Sequence, residues 1–286
     1  SNESSVEFLL DNNVINESKI CVKCNGISKL NIYTQRQKKR VIYRCNKKGC
    51  QAKIPLISTK LSLNDFIFLV YAILINLSYY QIRNLIQVSD VTISRLKKLV
   101  RNSFKVYDSK NFIALGGNKI TVECDETVIS RRGIIRNPTS MDDSRRDTVW
   151  ILGAIENTDE RDFFLSRIPN RTVATLTNVL EGRIRVNSIF FTDGYPSYPA
   201  VAENLSLQHH IVNHSEGFVN EDGIHTNNIE GFWSFLKLEM RRQGGVLRNN
   251  IDEWLADFTF RKRYLKNYDF NTVKNIYIEI LKIIFN

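Results

Sequence analysis

The stretch KITVECDETVIS, residues 119–130, decides the fold. It is rich in β-branched residues and reads as a strand, yet it carries Asp125, a residue type that strands disfavour. Glu123 and Asp125 share one face of such a strand and Glu126 takes the other, so either of the first two can be a ligand on geometry alone. Working outward, DTVWILGAIE (147–156) and RDFFLSRI (161–168) read as two more strands. TVATLTNVLEGRI (172–184) reads as a helix, and NSIFFTDG (187–194) as a fourth strand ending in a turn at Asp193. Three consecutive strands, a helix and a further strand predict an α/β class, a mixed sheet flanked by helices. With the first strand central and the fourth beside it, Asp125 and Asp193 lie on adjacent strands.

A third acid stands in HTNNIEGFWSFLKLEMRR, residues 225–242. Ile229, Phe232, Trp233, Leu236 and Met240 fall on helical spacing, with Thr226 or Asn227 to cap the start. Glu230 then lies in the first turn close to the core-facing stripe, and a carboxylate buried there is paired with a cation or holds a metal. Three hard oxygen donors are what Mg²⁺ or Mn²⁺ prefers, and two such ions about 3.5–4 Å apart serve phosphodiester chemistry.

The 286 residues suffice for one large domain and one or two small ones. Lys and Arg number 40 against 30 Asp and Glu, a net charge of +10 that suits a polyanionic partner, nucleic acid first. The longest apolar run, FIFLVYAILINL (66–77), has about half the length needed to span a bilayer, and no secretory leader is expected.

Four of the five cysteines cluster early as CVKC (Cys21, Cys24) and CNKKGC (Cys45, Cys50). Two short knuckles so spaced can present four thiolates to one tetrahedral Zn²⁺, and the strand-like KLNIYT and KRVIYRC between them complete a zinc ribbon over 19–60. Zinc would supply the stability that so short a module cannot draw from apolar burial. Residues 19–60 carry twelve Lys or Arg and no acid, which favours phosphate contact. Residues 1–18 are expected to be loosely ordered. Residues 61–108 predict helices near 64–77, 79–86 and 89–104, read as a helix-turn-helix whose last helix offers Thr92, Arg95, Lys97, Lys98 and Arg101 to a DNA groove, or else as plain three-helix packing.

CDET (124–127), FFTDGYPSY (190–198) and HTNNIEGFWSFLK (225–237), with their strand order, resemble the DDE transposases of the Merlin superfamily and their bacterial insertion-sequence relatives. The resemblance spans roughly residues 116–265, and its most specific part is the H-T-N, I-E, W, L-K pattern. It implies an RNase H-like catalytic domain over 109–286, cut-and-paste transposition, and Asp125, Asp193 and Glu230 as the catalytic, metal-binding triad. The chain departs from the family pattern after CDET, where VISRRGIIRNPTSMDDSRRDT replaces a more glycine-rich hairpin.

That reading makes double-stranded DNA the partner, as terminal inverted repeats and as target, with a homodimer or larger assembly to serve two ends. Tyr195, Tyr198, Lys237, Arg241 and Arg242 are expected to contact it. The basic hairpin with Arg131, Arg132, Arg136, Arg145 and Arg146 is read as DNA contact or solvated loop, and His225 as a strand contact or a cap. His210 and His214 have a spacing zinc can use on a helix but lie on a strand and loop; Cys124 and the three tryptophans read as core. The rivals are a retired transposase kept as a non-catalytic DNA-binding protein, and a structure-selective nuclease. A eukaryotic source would put the protein in the nucleus, any other in the cytoplasm.

Overall fold

The computed structural model describes residues 1–35, 38–129, 135–136, 149–212, 227–266 and 269–286. They form two compact units, residues 1–110 with 267–286 and residues 111–266.

The first unit opens with α1 (Asn2–Asp11), where the sequence predicts loose order. Ser1 caps this helix by accepting from the Ser4 N–H. Buried Asn2 fastens it, donating to the Lys39 carbonyl at 3.0 Å and accepting from the Leu63 N–H at 3.0 Å. A four-stranded antiparallel sheet follows in sequential order: β1 (Ser18–Ile20), β2 (Ile27–Gln35), β3 (Lys38–Cys45) and β4 (Lys53–Pro55). Three helices come next: α2 (Leu63–Leu74), α3 (Tyr79–Leu85) and α4 (Asp90–Asn111). Ser62 caps α2, and Ser78 with Gln81 forms a capping box on α3, so polar residues set both starts. The last helix runs about two turns beyond its expected end near residue 104.

The second unit holds a five-stranded sheet. Its strands are β5 (Thr121–Ile129), β7 (Val149–Glu156), β8 (Phe163–Ile168), β9 (Ile189–Thr192) and β10 (Gln208–Ile211), while β6 (Ile135–Arg136) pairs elsewhere with β11 (Val246–Leu247). The order is β10-β9-β5-β7-β8, with β5, β7 and β8 antiparallel and β9 and β10 parallel to β5. Thus β5 is central and β9 lies beside it. Helices α5 (Val173–Leu180) and α6 (Tyr198–Asn204) join a core with Val122, Cys124, Leu152 and Phe190 on one face. Helices α7 (Asn227–Arg242) and α8 (Ile251–Tyr264) join a core with Ile129, Ile151, Ile155 and Phe163 on the other. The strict alternation of β5 and β7 between these cores is the two-residue period of a sheet buried on both faces.

The last helix, α9 (Phe270–Phe285), returns to the first unit. Its Tyr277 stacks near Phe8, lies edge-on to Tyr71 and donates to the Ile67 carbonyl at 2.7 Å. Among the described residues no helix is long and apolar enough to cross a membrane.

Candidate active site and cysteine cluster

The two acids that share a face of β5 have different duties. Glu123 is wholly buried and binds the start of α7: its Oε2 accepts from the Asn228 and Ile229 N–H groups, each at 3.0 Å, and its Oε1 accepts from the Asn228 side chain at 2.7 Å. A carboxylate on a helix N-terminus satisfies orphan donors and complements the dipole, an effect of about 0.3–2 kcal/mol. This cap comes from another strand, 105 residues away, whereas the sequence assigns it to Thr226 or Asn227; Thr226 lies outside the described residues.

Asp125, two residues on, accepts from the Trp233 indole N–H at 2.9 Å through Oδ2. The indole reaches it because Gly153 stands opposite Asp125 on β7. A Cβ at Gly153 would lie 2.3 Å from the Trp233 ring, so only glycine lets the ring rest on the sheet. Glu123, Gly153 and Trp233 therefore hold α7 across the strand that carries Asp125.

Asp193 follows the last residue of β9, and its Oδ1 accepts from the Tyr195 N–H at 3.1 Å. Buried Thr192 steadies the preceding turn, its hydroxyl 2.9 Å from the Asp193 carbonyl and 2.8 Å from His209 Nε2. Glu230 lies in the first turn of α7, but the expectation that it is buried is corrected: it is exposed, because the inward stripe passes through Ile229 and Phe232 on either side of it. Burial raises the Asp125 carboxyl above its ordinary range, the Trp233 hydrogen bond opposes this, and the negative charges of Asp193 and Glu230 raise it further. Asp125 thus registers both other acids. Half-buried Lys237 is pushed down by burial and by Arg241, and pulled back up by Asp125.

The donor chemistry of the three acids fits a hard divalent cation, which would neutralise the repulsion around Asp125. In this structure their ligand atoms do not all lie within 4.8 Å of one another. Among the described residues, the set of three or more His, Cys, Asp or Glu whose ligand atoms all lie within 4.8 Å of one another consists of cysteines.

Behind Asp125, on the other face of β5, Glu126 is buried with its carboxylate 3.1 Å from Arg171. Burial raises the Glu126 carboxyl, and the Arg171 charge lowers it. The guanidinium lies 3.6 Å from the centroid of the Tyr195 ring and 4.9 Å from that of Trp150. One side of Tyr195 is therefore occupied by Arg171, and the expectation that Tyr198 touches DNA is corrected: it is fully buried in the core with Cys124 and Phe190. No sequence signal marks this arginine, which is a single cation in the loop before α5. Cys124 is fully buried and Trp233 and Trp254 nearly so, as core residues; Trp150 is half-buried beneath Arg171.

In the first unit, Cys21, Cys24, Cys45 and Cys50 bring their sulfurs within 4.8 Å of one another. The β2–β3 pairing sets Cys45 opposite Ser28, beside the first knuckle. The Lys23 N–H leads in lowering the Cys21 thiol to about 6, so a thiolate is available at neutral pH. Four thiols in this packing are compatible with tetrahedral zinc.

Of the expected nucleic-acid contacts, Arg95 and Lys98 are exposed on α4, whereas Lys97 lies 4.2 Å over the Tyr79 ring and ties α4 to α3. Arg241 and Arg242 are exposed at the end of α7. Arg131, Arg132, Arg145, Arg146, His214 and His225 lie outside the described residues.

A mixed sheet faced by helices, with acids from β5, the end of β9 and α7 around one strand, defines an α/β protein built for an acidic site. Residues 114–263, just over half of the chain, match the family described as the ISXO2-like transposase domain, and the chain belongs to that family. It is 28% identical over 94 residues to an uncharacterized transposase-like protein of Haemophilus influenzae, a match covering 33% of this chain and 75% of that one. Two solved structures are loosely similar. A pre-cleavage Mos1 transpososome is 12% identical, with 75% of this chain and 76% of that one covered and a TM-score of 0.27. The Mos1 strand transfer complex is 13% identical, with 76% of each covered and a TM-score of 0.28.

Proposed function

We propose that this transposase is a DDE enzyme that binds the terminal inverted repeats of its element, cuts DNA and joins the freed 3′ end to a target. The observation that carries this reading is the placement of the three acids: Asp125 on the central β5, Asp193 at the end of the adjacent parallel β9, and Glu230 in the first turn of α7, a helix bonded to β5 through Glu123 and Trp233. The strand order, with β5 central and β9 parallel beside it, supports an RNase H-like core, and the H-T-N, I-E, W, L-K pattern supports a Merlin-superfamily relationship.

In this reading Asp125, Asp193 and Glu230 hold two Mg²⁺ or Mn²⁺ ions. Bound there, such ions activate an attacking oxygen and stabilise a leaving one. Trp233 orients the Asp125 carboxylate, and the Tyr195 N–H orients that of Asp193. Glu230, exposed in the first turn of α7, would complete the set with the other two acids. The α4 residues Arg95 and Lys98 and the α7 residues Lys237, Arg241 and Arg242 meet phosphates, with a zinc-bound ribbon and a helix-turn-helix providing end recognition. Two ends need two sites, hence a dimer or larger assembly, acting in the nucleus of a eukaryotic source or the cytoplasm of any other.

The test is cleavage and strand transfer on labelled element-end DNA with Mg²⁺ or Mn²⁺. The wild type is expected to cut and join, and Glu230→Gln to bind but do neither. Binding without chemistry by the wild type on authentic ends would replace the enzyme with a DNA-binding protein, and cutting without joining would leave a nuclease.

A further inference from the structure

Asp193 lies past the end of its strand, in a segment whose geometry the strand itself does not set. Tyr195 contributes the N–H that holds its Oδ1 at 3.1 Å, so the carboxylate is only as well placed as Tyr195. Within its own segment Tyr195 is tied to Tyr198, whose N–H donates to its carbonyl at 3.1 Å and whose ring meets it edge-on; a second hold comes from outside. The Arg171 guanidinium covers its ring at 3.6 Å, and the Arg171 carbonyl accepts from the Ser197 hydroxyl at 2.9 Å. Arg171 therefore grips both sides of Pro196, by its side chain and by its backbone. The guanidinium is itself held by Glu126 at 3.1 Å and flanked by Trp150. Glu126 is the residue after Asp125 on the central strand and points to the opposite face.

We infer that Arg171 is a positioning residue that couples the strand bearing Asp125 to the segment bearing Asp193, so that the two carboxylates keep a set relation before any cation arrives. The inference rests on the transposase reading for its consequence, but not for its geometry. A planar, delocalised cation suits the role: it can stack on Tyr195 while one edge faces Glu126, whereas a lysine ammonium reaches Glu126 without supplying the plate. Residues that orient metal-holding carboxylates from behind typically set affinity by roughly 10–100-fold.

The test uses the full chain and two substitutions that keep a cation beside Glu126: Arg171→Lys, which keeps charge and loses the plate, and Tyr195→Ala, which keeps the backbone N–H and loses the ring; Arg171→Ala, which loses charge and plate together, is the reference. Hydrogen exchange of the 193–198 segment is followed without metal, and Mn²⁺ binding is titrated by calorimetry beside Asp193→Asn. Both variants are expected to speed exchange in that segment on the order of tenfold and to weaken Mn²⁺ binding by roughly 10–100-fold, with exchange in β5 and β7 unchanged. Wild-type exchange in 193–198 for both variants would overturn the inference. So would loosening confined to Arg171→Ala, which would mean that the arginine only neutralises Glu126. If Asp193→Asn and the wild type bind Mn²⁺ alike while both variants still speed exchange, the clamp stands and the metal-dependent reading of the site falls.

Discussion

The ribbon and the central sheet gather ligands in opposite ways. In the ribbon, two knuckles and one hairpin bring four sulfurs within 4.8 Å, and the residues that do so lie within thirty positions of one another. In the sheet, three candidate carboxylates come from β5, the end of β9 and α7, across about a hundred residues, and the Trp233 indole and the Tyr195 N–H hold two of them. A closed thiolate set suits a structural ion whose binding energy is folding energy. An open carboxylate set suits ions shared with a substrate, and its scaffold must stand without them.

That contrast predicts the largest effect in the ribbon. Chelation, or Cys45→Ser, is expected to remove one equivalent of zinc and unfold β1–β4, since structural zinc contributes on the order of 10 kcal/mol in small modules. Metal analysis and hydrogen exchange check this; a ribbon still protected without zinc would erase the difference between the two regions. In the sheet, by contrast, removal of divalent cations should leave exchange in β5 and β7 unchanged.

Next in size is Glu123→Ala. It strands the buried Ile229 N–H and its neighbours at the start of α7 and is expected to cost about 1.5–3 kcal/mol by denaturant unfolding, with or without metal. Gly153→Ala forces a methyl against Trp233 and is expected to cost about 1–3 kcal/mol, together with loss of the indole bond to Asp125. Trp233→Phe, which keeps a ring but no donor, separates the two: a cost equal to that of Gly153→Ala would place the energy in the hydrogen bond, not the packing.

The smallest effect has the opposite sign. Because the Asp125 pKa is raised in the folded state, the folded protein binds that proton more tightly than the unfolded chain does. The associated stability is present below the unfolded value of about 3.9 and is lost as pH rises through the folded value. Asp125→Asn keeps an oxygen for Trp233 and removes the repulsion, so without metal its Tm at pH 7 is expected to exceed that of the wild type by up to a few degrees. Addition of Mn²⁺ should reverse the order. Calorimetry across pH 3–7 checks both, and an unaltered pH profile would mean that burial and the neighbouring acids do not raise the Asp125 carboxyl.

Much of this molecule is legible in order of residues because the relevant forces act locally. The strand character of β5, the knuckle spacing of the cysteines and the helical stripe of α7 depend on neighbours a few positions away. Only the folded chain decides how those pieces oppose one another. That Glu123 is a cap and Asp125 an indole acceptor, although both share a strand face, depends on where α7 crosses β5. That Glu230 is exposed depends on the rotation of α7, which the packing of Ile229 and Trp233 sets. Gly153 and Arg171 carry no local signal at all, since their partners lie in other elements, and burial, unlike periodicity, is a property of the whole fold.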